Sequence, residues 1–320
     1  MRVAVTGGSG VVGGAVIRHL VAAGHEVQAL ARTCMAAASV EALGARAVSG
    51  DLFDRSALDA LALGCERLFH IAGVNEMCPR NPQLMDRVNV EGTLSVVEAW
   101  RRRGAGRLVH TSSAAAIGEA PGTVGDEASP HRGYFLSRYE ESKYRAETAL
   151  IDAAADIDYV IVNPSSVQGP GRATGTGKLI IDLIEGRLTA LIDTTISIVD
   201  IDDCARGHLL ASEKGETGRR YLLNGFTMSV AEAVRMLEGV VGRPINVRYL
   251  PGAVAAAGAA VIEGAYRLLG RKPLVCREMV RVLRHGHRYD GSRATAELGL
   301  QYAPPRETIE ALARWIDSKS

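Results

Sequence analysis

Short β-rich runs and amphipathic stretches alternate through the first half of this chain, and nothing else in it restricts the fold as much. Strand-like runs fall at 2–6, 26–31, 45–49, 67–71, 107–111 and 159–163, with helical patterns between them at 11–23, 56–63, 84–103 and 134–155. Strands joined through helices must run parallel, and the crossovers are right-handed. The expectation is an α/β fold, a doubly wound parallel sheet with helices on both faces. Ligands of such sheets bind beyond the carboxyl ends of the strands, so the residues at those ends carry the functional reading.

After Pro164 the rhythm changes. "NPSSVQGPGRATGTG" is rich in Pro, Gly and Ser and reads as a loop leaving the sheet for a second lobe. "ISIVDIDDCARGHLLA", 196–211, reads as a strand feeding a helix, with Asp202 or Asp203 near the helix start. "RRYLLNG" offers one more short strand, and an amphipathic helix at 305–318 ends the chain. Residues 1–163 are therefore expected to form the sheet domain, revisited by about 196–224. Residues 164–320 are expected to form mainly a smaller, mostly helical substrate-binding lobe, made of 164–195 and 225–290.

At 320 residues the chain can hold one large domain or two modest ones, and its net charge of +1 argues against nucleic acid as the main partner. Five scattered cysteines (Cys34, Cys65, Cys78, Cys204, Cys276), with no C-x-x-C pair, read as reduced thiols of a cytoplasmic protein. "MRVAVTG" enters a strand directly, without a signal peptide. "AVAAAGAAVIEGAYRLLG", 253–270, is interrupted by Glu263 and Arg267 short of the ~20 apolar residues of a membrane span. It reads as a buried or groove-facing helix.

The first turn of the alternating pattern is "TGGSGVVGG", Thr6 to Gly14, with five glycines in nine residues. Glycine is costly inside regular structure, so the backbone itself must be needed close to something. Strand, glycines, then a helix from Val11 is the context of the Rossmann dinucleotide fingerprint. There one glycine permits the turn, another lets N–H groups approach a pyrophosphate, and the last lets helix and strand pack. Gly8, Gly10 and Gly13 satisfy G-x-G-x-x-G; Gly7, Gly10 and Gly13 satisfy T-G-x-x-G-x-x-G. The phosphates would meet the start of the helix at Val11 and Val12, at the positive end of its dipole.

The second strand ends in "ALART". An NAD site usually has Asp or Glu there for the ribose 2′-OH; Arg32 instead suits a 2′-phosphate. NADP is favoured over NAD on that ground, a solvated surface arginine being the plain alternative. In "SGDLFD", Asp51 could accept from the adenine amino group while Leu52 offers a backbone contact. Asp51 could equally cap the helix that follows.

The chemistry is carried by "YEESK", Tyr139 to Lys143. Residues four apart share a helix face, ~5–6 Å between Cβ atoms. A phenol is a poor base at neutral pH, but a nearby ammonium and a cationic nicotinamide both favour its ionised form. Tyr134 and Tyr144 lack a lysine at that spacing. "RLVHTSS" places Thr111, Ser112 and Ser113 at a strand's carboxyl end, where a hydroxyl can bond a substrate carbonyl.

In these motifs and their order the chain resembles an extended short-chain dehydrogenase/reductase of the NAD-dependent epimerase/dehydratase superfamily. T-G-x-x-G-x-x-G, "GDL", "NVEGT" (Asn89–Thr93), "HTSSA", "YEESKYRAE" and "VDIDDCARGHLLA" carry the likeness, from Met1 to about Asp317. The resemblance implies Ser113, Tyr139 and Lys143 as the catalytic set. It implies a cofactor cleft lined by Gly7, Gly10, Val11, Val12, Gly13, Ala72, Gly73 and Thr111, with backbone groups of Pro164, Ser166 and Val167 near the carboxamide. It also implies a homodimer paired through the helices carrying Asn89 and Tyr139. Within the superfamily, "VNPSSVQGPG", "TGTGKLIIDLIEG" and "DGSRATAELGL" are similar to dihydroflavonol-reductase-like proteins and the hopanoid-associated epimerase group.

The implied activity is hydride transfer between nicotinamide and a secondary alcohol or ketone of a small, possibly aromatic, terpenoid or steroid-like substrate. The alternative is a nucleotide-sugar epimerase or dehydratase with retained cofactor, in which Arg172, Lys178 or Arg187 could meet a pyrophosphate. A third reading, a non-catalytic NADP-binding regulator, has no need of an intact Ser-Tyr-Lys set. "HGH" (His285, His287) invites a metal, but no nearby Cys or third His completes a site, and none is expected. His70 and His110 read as packed or hydrogen-bonded.

Overall fold

The computed structural model describes residues 1–318 except 105, 174 and 274. The chain opens with β1 (Arg2–Thr6), α1 (Val11–Ala22), β2 (Glu26–Ala31), α2 (Cys34–Glu41), β3 (Arg46–Ser49), α3 (Arg55–Ala62) and β4 (Arg67–His70). It continues through α4 (Pro82–Asp86), α5 (Gly92–Arg103), β5 (Arg107–Thr111), α6 (Arg138–Ala153) and β6 (Tyr159–Pro164). Then come β7 (Ser166–Gln168), α7 (Thr176–Ile184), β8 (Ala190–Leu191), β9 (Thr195–Asp200), α8 (Ile201–Lys214) and β10 (Arg220–Leu223). The remainder is β11 (Phe226–Ser229), α9 (Val230–Val241), β12 (Arg248–Tyr249), α10 (Gly252–Leu268), α11 (Arg277–His285) and α12 (Pro305–Asp317).

Seven parallel strands form the central sheet in the order β10-β6-β5-β4-β1-β2-β3. The expected doubly wound sheet is therefore present. Its strands read as nearly unbroken apolar runs because both faces are covered. One face packs α1 and α8 through Val16, Ile17, Leu20, Cys204 and Ala205; the other packs α3, α5 and α6 through Leu58, Leu61, Val96, Trp100 and Leu150. From β1 the chain first winds toward β3, then returns to place β4 on the other side of β1. The strand order reverses there, so a crevice opens above the carboxyl ends of β1 and β4.

Beyond that crevice a three-stranded sheet, β11-β9-β7, takes the chain away from the central sheet, and β10 returns to it beside β6. A separate apolar cluster joins α7, α9 and α12 through Leu183, Ile184, Val234, Leu237, Ile309 and Leu312.

Several expectations are corrected. The helix read at 84–103 is interrupted: α4, capped by Asn81, gives way to a π-turn at Arg87–Glu91 before α5. The helix read from 134 starts at Arg138, where the Ser137 hydroxyl accepts from the Glu140 N–H at 3.1 Å. Asp202 and Asp203 do stand in the first turn of α8, as expected, and Asp200 caps it. Asp54 caps α3, while Asp51 accepts from the Phe53 N–H at 2.8 Å in a local turn. Its alternative role as helix cap is thereby excluded.

The expectation of five reduced thiols is also overturned. Cys78 and Cys276 form a disulfide across a sequence separation of 198, with Cα atoms 6.0 Å apart. The loop after β4 meets the start of α11 there, and an ion pair of Lys272 with Glu76 joins the same two segments. Cys34, Cys65 and Cys204 are free. Finally, α10 is not buried: only Ala259 and Glu263 are, while Val254, Val261 and Leu268 face outward; its inner side does face a groove, which Glu263 and Arg267 line with Arg138 and Arg277. Glu263 anchors its inner side by accepting from the Arg277 N–H at 2.9 Å. No helix among the described residues is long and apolar enough to cross a membrane.

Candidate active site

The glycine loop sits at the switch point. Gly7 has φ +75, in the left-handed region, and a Cβ there would lie 2.5 Å from the Ala72 nitrogen. The loop is thus pressed against the end of β4. Gly13 is tighter still, for a Cβ would stand 2.1 Å from the Gly7 carbonyl oxygen. Gly10, the N-cap of α1, supplies no side-chain cap, so the first-turn N–H groups of Val11, Val12 and Gly13 lack a side-chain acceptor. Uncapped N–H groups at the positive end of a helix suit an anion. A dinucleotide pyrophosphate fits this cradle on its own geometry.

At the end of β2, Arg32 is exposed and makes no ion pair or hydrogen bond among the described residues. Thr33 next to it caps α2, its hydroxyl accepting from the Ala36 N–H at 3.2 Å. Arg32 therefore immediately precedes the cap of a second helix. Asp51 is exposed and Leu52 buried at the end of β3.

The three groups singled out for chemistry converge at the carboxyl end of β5. The Ser113 hydroxyl neighbours the Tyr139 phenol and favours its ionised form. The Ser113 carbonyl accepts from Asn163 Nδ2 at 3.0 Å, which ties β5 to β6. One turn along α6 from Tyr139, the Lys143 ammonium is buried and donates to the Thr111 carbonyl at 2.8 Å. Thr111 is held in turn by His208, whose Nε2 lies 2.9 Å from its hydroxyl.

Electrostatics refine the expectation drawn from the motif. Burial pushes the Tyr139 phenol above its ordinary value, against the neighbouring Ser113 hydroxyl and the charge of Arg172. Burial brings Lys143 itself down to about 8, against the attraction of Glu147. The ammonium is therefore a costly buried charge, facing the place where Gly73 ends β4's loop: a Cβ on Gly73 would lie 3.4 Å from Lys143 Nζ and 3.1 Å from Asn89 Oδ1.

Asn89 is the site residue that motif reading missed as a functional group. Buried in the π-turn, its Oδ1 accepts from the Val74 N–H at 2.7 Å, and its Nδ2 donates to the Val74 carbonyl at 3.0 Å and the Ser142 hydroxyl at 2.9 Å. It clamps the loop after β4 to α6 beside Lys143. The extra residue of a π-turn is a recurrent signature of functional helices, and the signal for it in the sequence was the "NVEGT" motif that Asn89 opens.

His70 and His110 are not at the reacting centre. His70 bridges Thr6 Oγ1 at 2.7 Å and Thr93 Oγ1 at 3.0 Å, and burial holds it near 3, hence neutral. His110 is packed, its ring nitrogens buried without partners.

His285 and His287 do acquire a third companion. Glu119 Oε1 lies 3.2 Å from His285 Nε2 and 2.6 Å from His287 Nδ1. The reading that counted only Cys or His as a completing ligand overlooked it. The Tyr289 hydroxyl joins at 2.9 Å from His287 Nδ1, and its ring packs against Ala114 and Ile117, just past Ser113. Arg132 approaches Glu119 to 3.9 Å, so the carboxylate already has a cation and two imidazoles around it. Pro164 ends β6 beside Leu223 of β10, while Ser166 and Val167 lie in β7 beside β9, with the Ser166 hydroxyl 3.3 Å from that of Thr176.

Comparison with known proteins agrees with this arrangement. Residues 3–223 match the NAD dependent epimerase/dehydratase family. A Synechocystis protein bearing a provisional dihydroflavonol 4-reductase name is 33% identical over 98% of this chain and 94% of its own. A 2-alkyl-3-oxoalkanoate reductase of Shewanella oneidensis is 30% identical over 92% of this chain and 81% of its own. The crystal structure of gox2253 superposes with a TM-score of 0.87 at 31% identity, covering 100% of this chain and 98% of that one.

Proposed function

The chain belongs to the NAD dependent epimerase/dehydratase family, and from that premise we propose that it interconverts a secondary alcohol and a ketone on a small, largely apolar molecule. The bound nicotinamide would supply or accept the hydride. The observation that carries the reading is the Ser113 hydroxyl beside the Tyr139 phenol at the end of β5, with the Lys143 ammonium one helical turn away. In the reductive direction Tyr139 holds its proton at the carbonyl oxygen, which suits a phenol kept neutral by burial. Ser113 orients the same oxygen. Lys143, with Asn89 and Gly73, lines the wall against which the nicotinamide ribose rests.

Arg32, exposed and unpaired beside the start of α2, supports NADP over NAD. Residues 164–195 and 225–290 serve as the substrate lobe. Pairing into a homodimer would cover the exposed Leu84, Tyr144 and Ile151 on the elements flanking Asn89 and Tyr139.

The rival reading, a nucleotide-sugar epimerase, is weakened by the loss of two of its three cations. Lys178 and Arg187 are both engaged by Asp182. The Shewanella relative's name describes reduction of a ketone, which favours the same side. The test is absorbance of reduced nicotinamide with small ketones and with UDP-glucose. Net oxidation of NADPH by ketones, reduced about a thousandfold in Tyr139→Phe, is expected. Isomerisation of the sugar without net redox change would reverse the conclusion.

A further inference from the structure

Arg172 is left without an acidic partner. It lies in the loop between β7 and α7, and its Nε is buried with no hydrogen bond among the described residues. Its guanidinium makes no ion pair among the described residues, and the groups whose charge acts on it are the Tyr139 phenol and the Cys204 thiol, with no carboxylate among them. Burial accordingly pulls the guanidinium below its ordinary value. The position is built rather than incidental: a Cβ on Gly177 would lie 2.7 Å from Arg172 Cγ and 2.0 Å from the Arg172 carbonyl oxygen. The neighbouring cations differ. Lys178 Nζ is 2.8 Å from Asp182 Oδ2, and Arg187 Nη2 is 2.7 Å from Asp182 Oδ1.

A partly buried cation without a counter-charge is expensive, and the usual remedy is a bound anion. We propose that Arg172 receives a carboxylate of the substrate, so that this site takes hydroxy acids and their oxo acids, with the carboxylate close to the carbinol carbon. The proposal rests on the hydride-transfer reading of Tyr139 given above. Proximity follows from the path of the chain: Gly177 packs on Arg172, and the adjoining Thr176 hydroxyl lies 3.3 Å from that of Ser166, two residues past the carboxyl end of β6; the charge of the guanidinium also acts on the Tyr139 phenol. The planar fork of a guanidinium matches a carboxylate with two parallel hydrogen bonds. A pyrophosphate carries more charge and would call on further cations, and those nearby are taken.

The experiment compares 3-hydroxyoctanoate, its methyl ester and heptan-2-ol as substrates with NADP⁺, in the parent and in Arg172→Gln and Arg172→Lys. The acid is expected to exceed the ester in kcat/KM by about a hundredfold, the range for a buried charge-assisted contact. That ratio should collapse toward one in Arg172→Gln and recover in part in Arg172→Lys. An arginine serving only Tyr139 or the fold would slow acid and ester alike and leave the ratio intact, which would overturn the proposal.

Calorimetric binding of 3-hydroxyoctanoate to the NADP⁺-loaded protein reads the same contact without turnover. Equal affinity in parent and Arg172→Gln, or no binding at all, would also overturn it. UDP-glucose bound more tightly than the acid, in an Arg172-dependent way, would reassign the residue to a pyrophosphate. If the acid binds through Arg172 but none of the three alcohols is oxidised, the hydride-transfer reading fails and the carboxylate contact stands. If all three react with equal kcat/KM, the reverse holds.

Discussion

Replacing Lys143 with methionine should make this protein more stable while abolishing its activity. The side chain is 6 % exposed, and among the described residues its ammonium meets only the Thr111 carbonyl at 2.8 Å and the distant attraction of Glu147. Burial brings it to about 8 from an ordinary 10.5, a difference that corresponds to roughly 3 kcal/mol. The sign follows from proton counting. Between those two values the unfolded chain holds the proton and the folded chain does not, so stability rises with pH across this window. Below about 8 both states are protonated and the full penalty applies. Methionine removes the charge at similar length but leaves the Thr111 carbonyl without this donor, a loss of ~1 kcal/mol. A net gain of about 2 kcal/mol at pH 7 is left. Urea denaturation of cofactor-free protein is the proper assay, because a ligand bound only to the folded state would add its own stabilisation. The advantage of Lys143→Met should shrink steadily between about pH 8 and 10.5. A parent more stable than the variant at pH 7, or a gap indifferent to pH, would refute the argument that this ammonium is held at a cost for the sake of function.

Three further outcomes follow from the same geometry. Gly13→Ala places a methyl 2.1 Å from the Gly7 carbonyl oxygen, so the loop must open; nicotinamide cofactor affinity, read by fluorescence titration, should fall at least about tenfold, and unchanged affinity would show that the loop does not hold phosphates. Arg32→Asp should lower the NADP-to-NAD ratio of kcat/KM by about a hundredfold, and an unaltered ratio would return Arg32 to the solvent. Cys276→Ser opens a loop of 198 residues, whose closure entropy bounds the loss at about 5 kcal/mol; the lowered Tm should be matched by the parent in strong reductant, whereas equal Tm values with and without reductant would mean that the bridge contributes nothing.

Much of the fold was legible because its causes are local. Arg2–Thr6 and Glu26–Ala31 are strands by composition, and the glycines after Thr6 answer a steric demand: a Cβ on Gly13 would stand 2.1 Å from the Gly7 oxygen. Tyr139 and Lys143 share a face because a helix has 3.6 residues per turn. Ser113 was placed by the end of β5. The errors, too, were local where two candidates competed. Asp54 stands three residues after Asp51 and takes the cap because its own carboxylate reaches the Ala57 N–H at 3.0 Å.

What was not legible depends on distance along the chain. Cys78 and Cys276 are brought together by a lobe that folds back over the loop after β4, and no spacing rule relates residues so far apart. Glu119 finds His285 and His287 across a similar gap, by way of the Gly125–Tyr289 bridge that lays the late segment beside the early one. Arg172 is the sharpest case. Its sequence context shows three cations, Arg172, Lys178 and Arg187, with equal claims on an anion. Only the folded chain shows that Asp182 and Glu185 pair with two of them, while the third has no ion pair among the described residues. A motif identifies which residues perform a family's chemistry; which substrate they accept is decided by charges that the fold leaves unpaired, and those are sums over neighbours that a linear pattern does not contain.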